Sequence, residues 1–231
     1  MPSSPAARQA LLERIDAAAR GAGHGSAHLL AVSKTQPAEA VRALAAQGQR
    51  AFGENYVQEA LAKQRELADL TLEWHLIGPL QSNKCREVAL HFDWLQSLDR
   101  AKLIAPLAQH RPAGREPLNV LIQVNIDDEA SKSGCKPDEI AALAARIVTE
   151  PALRLRGLMA IPAPAPDAET RRAAFAHMRE LFDALRVEHP AIDTLSMGMS
   201  DDFELAIAEG ANLVRIGTAL FGARPMTRAS R

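Results

Sequence analysis

The chain lacks the features of secreted and membrane proteins. Its two cysteines, Cys85 and Cys135, lie 50 positions apart and form no C-x-x-C pair. This spacing argues against a disulfide framework and against a zinc site. No apolar run approaches the length of a membrane span, and residues 1–20 contain acidic side chains but no apolar segment of the signal-peptide type. We therefore expect a cytoplasmic protein that does not enter a membrane.

The chain also lacks an excess of charge of one sign. Its 27 basic and 28 acidic side chains leave a formal net charge of −1, so no general attraction to nucleic acid or to anionic membranes is expected. Aromatic residues make up only 4% of the 231 residues, but 47% are apolar, which is enough to bury a sizeable core. These values exclude collagen-like, coiled-coil and disordered chains and predict a globular protein.

Short runs rich in apolar and β-branched residues alternate with longer segments of helical period, a pattern typical of βα units around a parallel sheet. Eight such units, after an amphipathic helix at about 5–20, predict an α/β fold, a (β/α)8 TIM barrel. We expect the barrel proper to span about 28–222 within a single domain, 1–231. Periodicity alone leaves an open, doubly wound sheet as the alternative. The predicted strands are 28–34, 50–55, 73–78, 94–99, 119–125, 155–161, 194–199 and 213–217.

Lysine is scarce in this chain, and one lysine has an unusual position. Only six of the 27 basic residues are lysines, and Lys34 ends the apolar run LLAVSK at the carboxyl end of the first predicted strand, where barrel active sites lie. Burying an ammonium group without a partner is unfavourable, and the usual relief is loss of the proton, which is the state an imine-forming lysine needs. The alternative is a lysine that reaches water or pairs with a carboxylate such as Glu54.

Small and hydroxyl-bearing residues follow the last two predicted strands, in the segments MGMSDD and RIGTALFG. Barrels commonly bind a phosphate there, at the start of a helix, and Ser200, Gly217 and Thr218 are suited to it. The alternative is that Ser200, Asp201 or Asp202 only caps the next helix and that Gly217 only makes a tight turn.

Arg215 is expected to point into the barrel, where its guanidinium needs an acceptor that Val214 and Ile216 do not offer. A lysine at the barrel mouth, a phosphate site opposite it and an arginine between them form the arrangement expected for pyridoxal 5′-phosphate (PLP). A barrel enzyme that forms a lysine imine with a phosphorylated sugar would use the same groups. The residues by themselves leave both interpretations open.

Other candidate groups give weaker indications. The seven histidines show no H-E-x-x-H or H-x-H spacing, so no metal site is predicted, and His75 is best interpreted as a hydrogen-bonded core residue. Lys132 and Ser133 lie in the loop after the fifth strand and form a polar rim near the mouth, although a solvated loop is the favoured interpretation.

Seven motifs, taken together and in this order, resemble the pyridoxal phosphate homeostasis proteins of the YggS/PROSC type. The resemblance runs from about residue 8 to residue 224, and WHLIGPLQSNK and LSMGMSDD are its most specific parts. The motifs are AVSKTQP (31–37), AFGENYVQEALAK (51–63), EWHLIGPLQSNK (73–84), VNIDDEASKSG (124–134), GLMAIP (157–162), LSMGMSDDFELAI (195–207) and VRIGTALFG (214–222).

The resemblance implies a barrel like the amino-terminal domain of alanine racemase, with PLP held as an imine on Lys34. It assigns Ser200, Gly217 and Thr218 to the phosphate and Arg215 to the ring nitrogen. The other positions that match pocket motifs are Asn55, His75, Ser82 and Met199.

Two residues depart from the pattern of the family. Leu76 stands where many relatives have phenylalanine, and we expect it to alter the packing beneath the cofactor ring. Gln36 stands where many relatives have a basic or aromatic residue, so a second amine near the mouth is absent at this position. Lys84 and Lys132 are the remaining lysines considered for the imine if Lys34 is not its site.

The family resemblance implies a PLP carrier that influences vitamin B6 and amino-acid balance, without established catalysis. A PLP-dependent amino-acid racemase is the alternative, but racemases take a catalytic tyrosine from a second domain and a partner subunit. Here the chain ends about 14 residues after the last predicted strand, and its one tyrosine, Tyr56, begins a helix. An arginine at the ring nitrogen also weakens the electron sink. We expect a monomeric carrier, not an enzyme, with apo PLP-dependent enzymes as transient partners.

Overall fold

A computed structural model of the protein describes residues 5–23, 25–127 and 133–222. Eight parallel strands pair in chain order, and β1 pairs with β8 to close a barrel. The closure confirms the predicted TIM barrel over the open sheet. The strands are β1 (His28–Val32), β2 (Ala51–Glu54), β3 (Glu73–Leu76), β4 (Trp94–Leu98), β5 (Leu118–Val124), β6 (Leu153–Ala160), β7 (Thr194–Ser196) and β8 (Leu213–Ile216).

Helices follow the strands, and one more helix precedes the first strand close to its predicted bounds. Short 3₁₀ turns lead into α4, α5 and α6. Within the described ranges, no helix combines the length and the apolar character needed to cross a membrane. The helices are α1 (Pro5–Gly21), α2 (Ala38–Ala46), α3 (Val57–Glu66), α4 (Cys85–His91), α5 (Ile104–His110), α6 (Ile140–Ile147), α7 (Ala168–Glu188), α8 (Phe203–Ala208) and α9 (Thr218–Phe221).

Successive residues of a strand face opposite sides of the barrel wall. In β1, Leu29 and Ala31 belong to the main core between the strands and the helices, whereas Leu30 packs with Ile77 and Leu213 in a separate small cluster. This alternation places Leu30 inside the barrel. The main hydrophobic core is therefore the layer outside the strands, which the helices cover.

The inside of the barrel is more polar than is usual for this fold, whose interior is normally filled by branched apolar side chains. Four polar side chains from four strands lie there, each at most 3% exposed. A buried polar group is stable only when it is hydrogen-bonded, so these side chains must satisfy one another. They are His75 on β3, Gln96 on β4, Ser196 on β7 and Arg215 on β8.

Candidate functional site

The carboxyl ends of the strands surround a cavity of about 230 Å³, at the end of the barrel where active sites of this fold lie. The first and last strands of the barrel, β1 and β8, pair with each other in the closed sheet. This pairing brings lining residues from both ends of the sequence together. Seven residues predicted from the sequence line the cavity: Lys34, Asn55, Met199, Ser200, Arg215, Gly217 and Thr218.

One wall of this cavity is apolar. Val32 and Ile77 line it from the barrel side, and Ile161 and Met199 line it near the surface, where each is more than one third exposed. Apolar lining residues of this kind suit an aromatic ring, while the polar groups of the same cavity can fix its orientation. Gln36 also lines the cavity, so this departure from the family pattern lies within the site.

Lys34 lies in a tight turn that begins as soon as β1 ends. The next residue, Thr35, has a left-handed backbone with φ of 64°, which is unfavourable for a β-branched residue. Its N–H donates to Glu59 Oε1 at 2.5 Å, and the N–H of Gln36 donates to the Ser33 carbonyl at 3.0 Å. The contact with Glu59 therefore stabilises the turn that presents Lys34.

A buried lysine, Lys63, holds the other side of this turn. Its Nζ donates to Glu54 Oε1 at 2.6 Å, to Glu59 Oε1 at 2.7 Å and to the Ser33 carbonyl at 2.6 Å. Glu54 is fully buried, and its burial raises the pKa of its carboxyl, although Lys63 and Ser33 oppose the shift. The charged partner of Glu54 is thus Lys63, which answers the alternative that Glu54 pairs with Lys34.

Lys63 is not among the site residues predicted from the sequence, although one signal for it was available. Lys63 is one of only six lysines, and it follows Glu59 by four positions on a helix, a spacing that brings the two charges together. The alternation of apolar residues showed only that α3 is amphipathic. It did not show that the lysine faces inward.

Backbone amides also line this cavity. Within the described residues, the N–H groups of Ser200, Gly217 and Thr218 donate to no acceptor. A Cβ on Gly217 would lie 3.3 Å from the Val32 carbonyl oxygen, so glycine keeps this approach open. Convergent amides without acceptors are the groups that bind a phosphate.

Asp202 is the residue before α8, but its side chain accepts no N–H of that helix, so it does not cap α8 as the alternative expected. Asp202 accepts the N–H of Met199 at 2.7 Å and lies 3.4 Å from Arg171. It therefore organises the loop before α8 without occupying the amides of Ser200 and Thr218. Asp201 lines the cavity itself.

Arg215, on β8, lines the same cavity. It donates from Nη1 to Ser196 Oγ and from Nη2 to the Ala160 carbonyl, both at 2.7 Å. Burial lowers the pKa of its guanidinium to about 10, and Asp202 partly opposes the shift. The side chain therefore stays charged at neutral pH and can only donate hydrogen bonds.

Two residues from the same predicted set, His75 and Ser82, do not line the cavity. His75 lies deeper in the barrel, where it stacks on Trp94 at a centroid distance of 5.1 Å and hydrogen-bonds to two side chains. This environment is that of a core histidine. Ser82 is exposed at the start of the short 3₁₀ turn before α4.

The structure corrects the expectation for Leu76. We expected Leu76 to alter the packing beneath the cofactor ring, but it belongs to the main core outside the strands and is fully buried. The reason is the alternation along β3: the interior contains His75 and Ile77, so Leu76 faces the helices.

Two other lysines, Lys84 and Lys132, were considered for the imine. Lys84 is half-buried, lies 3.3 Å from Glu87 and lines a separate cleft beside Tyr56. Lys132 lies in 128–132, outside the described residues.

A second and larger cavity, of about 740 Å³, lies at the amino ends of the strands. Its lining includes Glu73, His75 and Trp94, as well as Arg156, which pairs with Asp193 at 2.7 Å. The Arg156 guanidinium also lies 4.6 Å from the centre of the Trp94 ring. Conserved chemistry in this fold lies at the carboxyl ends, so the smaller cavity is the better candidate site despite its size.

Comparison with known proteins gives consistent matches. Residues 7–225 match the family described as "Alanine racemase, N-terminal domain". A pyridoxal phosphate homeostasis protein of Pseudomonas aeruginosa is 60% identical over 213 residues, 91% of each chain. A protein of that name from Escherichia coli K12 is 52% identical over 221 residues, 94% of each chain.

Solved structures show the same similarity. PipY of Synechococcus elongatus PCC7942 with PLP bound has a TM-score of 0.80 and 41% identity, and the match covers 91% of this chain and 99% of PipY. Alanine racemase of Corynebacterium glutamicum has a TM-score of 0.67 at 19% identity, over 96% of this chain and 63% of the racemase. This more distant likeness concerns the fold alone.

Proposed function

Because this chain belongs to the alanine racemase N-terminal domain family and to the pyridoxal phosphate homeostasis proteins, we propose that its carboxyl-end cavity binds PLP through Lys34. The protein binds PLP and acts in PLP homeostasis. One observation supports the proposed site above all: a single cavity brings together Lys34, free backbone amides and Arg215.

The groups of the cavity match the parts of PLP. The amides of Ser200, Gly217 and Thr218 suit the phosphate, because they donate hydrogen bonds and lack other acceptors among the described residues. The apolar wall suits the ring, and Arg215 faces the place of the ring nitrogen in this orientation. Asn55 lines the same cavity and offers amide hydrogen bonds to the substituents of the ring.

Lys34 supplies the covalent attachment. Lys34 would hold PLP by its side-chain amine, which in its neutral form would condense with the aldehyde of PLP and release water. When bound, PLP supplies an electron sink for chemistry on amines. The turn fixed by Glu59 and Lys63 holds the lysine toward the cavity, and hydrolysis of the same bond releases the cofactor.

We propose a carrier role in preference to a racemase role. Among the described residues that line the cavity, the titratable side chains are Lys34, Asp201 and Arg215. Arg215 does not readily release a proton and leaves a facing ring nitrogen unprotonated, which weakens the electron sink. Racemisation also needs acid and base groups on both faces of the substrate carbon, and no tyrosine or histidine is among the described residues that line the cavity. Transfer of PLP to apo-enzymes by a cytoplasmic monomer completes the proposal.

The carrier role predicts that amino acids are not turned over. A steady-state assay of the PLP-loaded protein against a panel of amino acids should give rates far below about 1 s⁻¹, a low value for an enzyme. Racemase or lyase turnover above that rate would contradict the carrier role and favour the PLP-dependent racemase.

The attachment site is tested by replacing one lysine. Lys34→Ala should lose the visible absorbance of the PLP imine while its far-ultraviolet circular dichroism stays that of the unchanged protein. Lys84→Ala is the matched control, because Lys84 lies in the neighbouring cleft, and it should keep the absorbance. Borohydride reduction followed by peptide mass mapping identifies the modified lysine. An adduct on Lys84 or Lys132 would show that the attachment site is elsewhere.

A further inference from the structure

A continuous chain of side-chain hydrogen bonds runs through the inside of the barrel, from Arg215 to the amino-end cavity. Arg215 Nη1 contacts Ser196 Oγ at 2.7 Å, and Ser196 Oγ contacts Gln96 Oε1 at 2.7 Å. Gln96 Nε2 contacts His75 Nδ1 at 2.9 Å, and His75 Nε2 contacts Glu73 Oε1 at 2.8 Å. Arg215, Ser196, Gln96 and His75 are buried, and the Glu73 side chain is 46% exposed at the far end.

The two ends of this hydrogen-bond chain, together with the orientation of the Gln96 amide, fix the direction of every bond in it. A guanidinium can only donate and a carboxylate can only accept. Ser196 must therefore accept from Arg215 and donate to Gln96, whose amide then donates to His75. His75 is left as the neutral tautomer with its proton on Nε2, donated to Glu73. The reversed amide of Gln96 would require a doubly protonated imidazole.

The chain also links two charges. Arg215 donates hydrogen bonds to the Ser196 hydroxyl and the Ala160 carbonyl, both neutral acceptors. Glu73, whose carboxyl pKa is lowered first by the hydrogen bond from His75, carries the negative charge at the other end. Because all the bonds run in one direction, each polarises the next, and the chain strengthens cooperatively.

We propose that Ser196, Gln96 and His75 are positioning residues, which hold Arg215 toward the cofactor ring and connect it to Glu73 as a remote counter-charge. The inference rests on the proposed function for the role of Arg215 in PLP binding. The hydrogen-bond chain itself belongs to the protein without PLP and is tested separately.

The first experiment examines the protein without PLP. In ¹⁵N NMR, the His75 imidazole should show the tautomer protonated at Nε2. Gln96→Glu removes the donor to Nδ1 and leaves two carboxylates facing the ring, so we expect a doubly protonated His75. A His75 protonated at Nδ1 in the unchanged protein would overturn the proposed direction of the chain, whether or not PLP binds to Lys34.

The second experiment measures the bound cofactor. A nearby cation disfavours a protonated imine, so displacement of Arg215 should move the pH midpoint of the imine absorbance upward. We expect this upward shift in Gln96→Leu and Ser196→Ala, in the same direction as in Arg215→Met. PLP affinity should fall about ten- to a hundredfold, the size expected for a lost hydrogen bond to a charged group.

A matched control and a mild variant separate positioning from stability. Gln49 is also buried and hydrogen-bonded, but it donates to the Leu29 and Ala51 carbonyls, outside the chain. Gln49→Leu should lower stability without moving the midpoint. Glu73→Gln changes only the half-exposed end and should give a smaller upward shift, even if Gln96→Leu does not fold.

The positioning role is overturned if Glu73→Gln and Ser196→Ala keep the midpoint and affinity of Gln49→Leu. Failure of the proposed function looks different: Arg215→Met and Lys34→Ala would then leave PLP binding unchanged, while the NMR result in the protein without PLP would stand.

Discussion

At the scale of single residues, we expect replacement of Lys63 to lower the stability of the protein strongly. It is about 5% exposed and neutralises Glu54, which is fully buried. Lys63→Met would leave an unpaired buried carboxylate, so the free energy of unfolding should fall by about 3–5 kcal/mol. Urea denaturation measures this change.

Two further variants show whether the unpaired charge is the cause. Lys63→Met combined with Glu54→Gln should recover part of the lost stability, because the buried charge is removed as well. Lys102→Met is the control at an exposed lysine and should change stability by no more than about 0.5 kcal/mol. If the double variant were no more stable than Lys63→Met, the unpaired carboxylate would not explain the loss.

From the residue types, the chemistry of the site could be predicted. The hydrogen-bond partners of each side chain could not. Lys34 and Arg215 could be selected because a strand-end rule and the desolvation of a charge both act locally. Gln96 and Ser196 could not be selected, since their importance depends on strands that come together only when the barrel closes.

At the scale of secondary structure elements, the end of β3 touches the end of β2 through Gly78. A Cβ at Gly78 would overlap the main-chain carbonyl of Asn55, while Ser97 Oγ donates to the Gly78 carbonyl at 2.6 Å. The backbones of the two loops can therefore approach only because this residue is glycine.

Gly78→Ala should separate these two loops and displace Asn55 from the cavity. We expect a loss of about 1–3 kcal/mol in stability, as for other overpacked sites, together with weaker PLP binding. Gly114→Ala is the control, because no atom lies within 4 Å of the added Cβ. Urea denaturation and PLP titration measure the two effects, and equal behaviour of the two variants would contradict the close approach.

The pattern of the sequence predicted all eight strands, but it extended several of them too far. Strand β1 was expected to reach Lys34 and ends at Val32, and β7 was expected to reach Met199 and ends at Ser196. Single hydrogen bonds to the neighbouring strand segments continue past both ends, because the Ser33 N–H donates to the Gly53 carbonyl and the Gly198 carbonyl accepts from the Arg215 N–H. The left-handed Thr35 bends the chain after β1, and no periodicity marks such a backbone angle.

At the scale of the whole molecule, carboxylates at the amino-end cavity should govern stability in acid. Hydrogen bonds, first that from His75, lower the pKa of Glu73. Burial alone would raise the pKa of Asp193, but Arg156 and Thr194 bring it below its ordinary value. A lowered pKa adds stability above the unfolded value of about 4, and this stability is lost as pH falls through the folded pKa.

We therefore expect the free energy of unfolding to decrease as pH falls below about 4, and this decrease should be smaller in Glu73→Gln and in Asp193→Asn. Urea denaturation between about pH 3 and pH 7, a range that covers the titration of carboxyl groups, checks the prediction. Asp167→Asn is a useful comparison, because Asp167 also has a lowered pKa but caps α7 far from this cavity. An unchanged acid profile in both of the first two variants would contradict the assignment.

The polar interior has a consequence for how this protein diverges among species. Removing one member of a buried hydrogen-bond chain leaves its neighbour without a partner, which costs about 1–3 kcal/mol of stability. Replacing neighbouring members together is nearly neutral. Homologues that have lost Gln96 should therefore have lost Ser196 or His75 too. Among homologues, the positions of this hydrogen-bond chain on β3, β4 and β7 should therefore be substituted together.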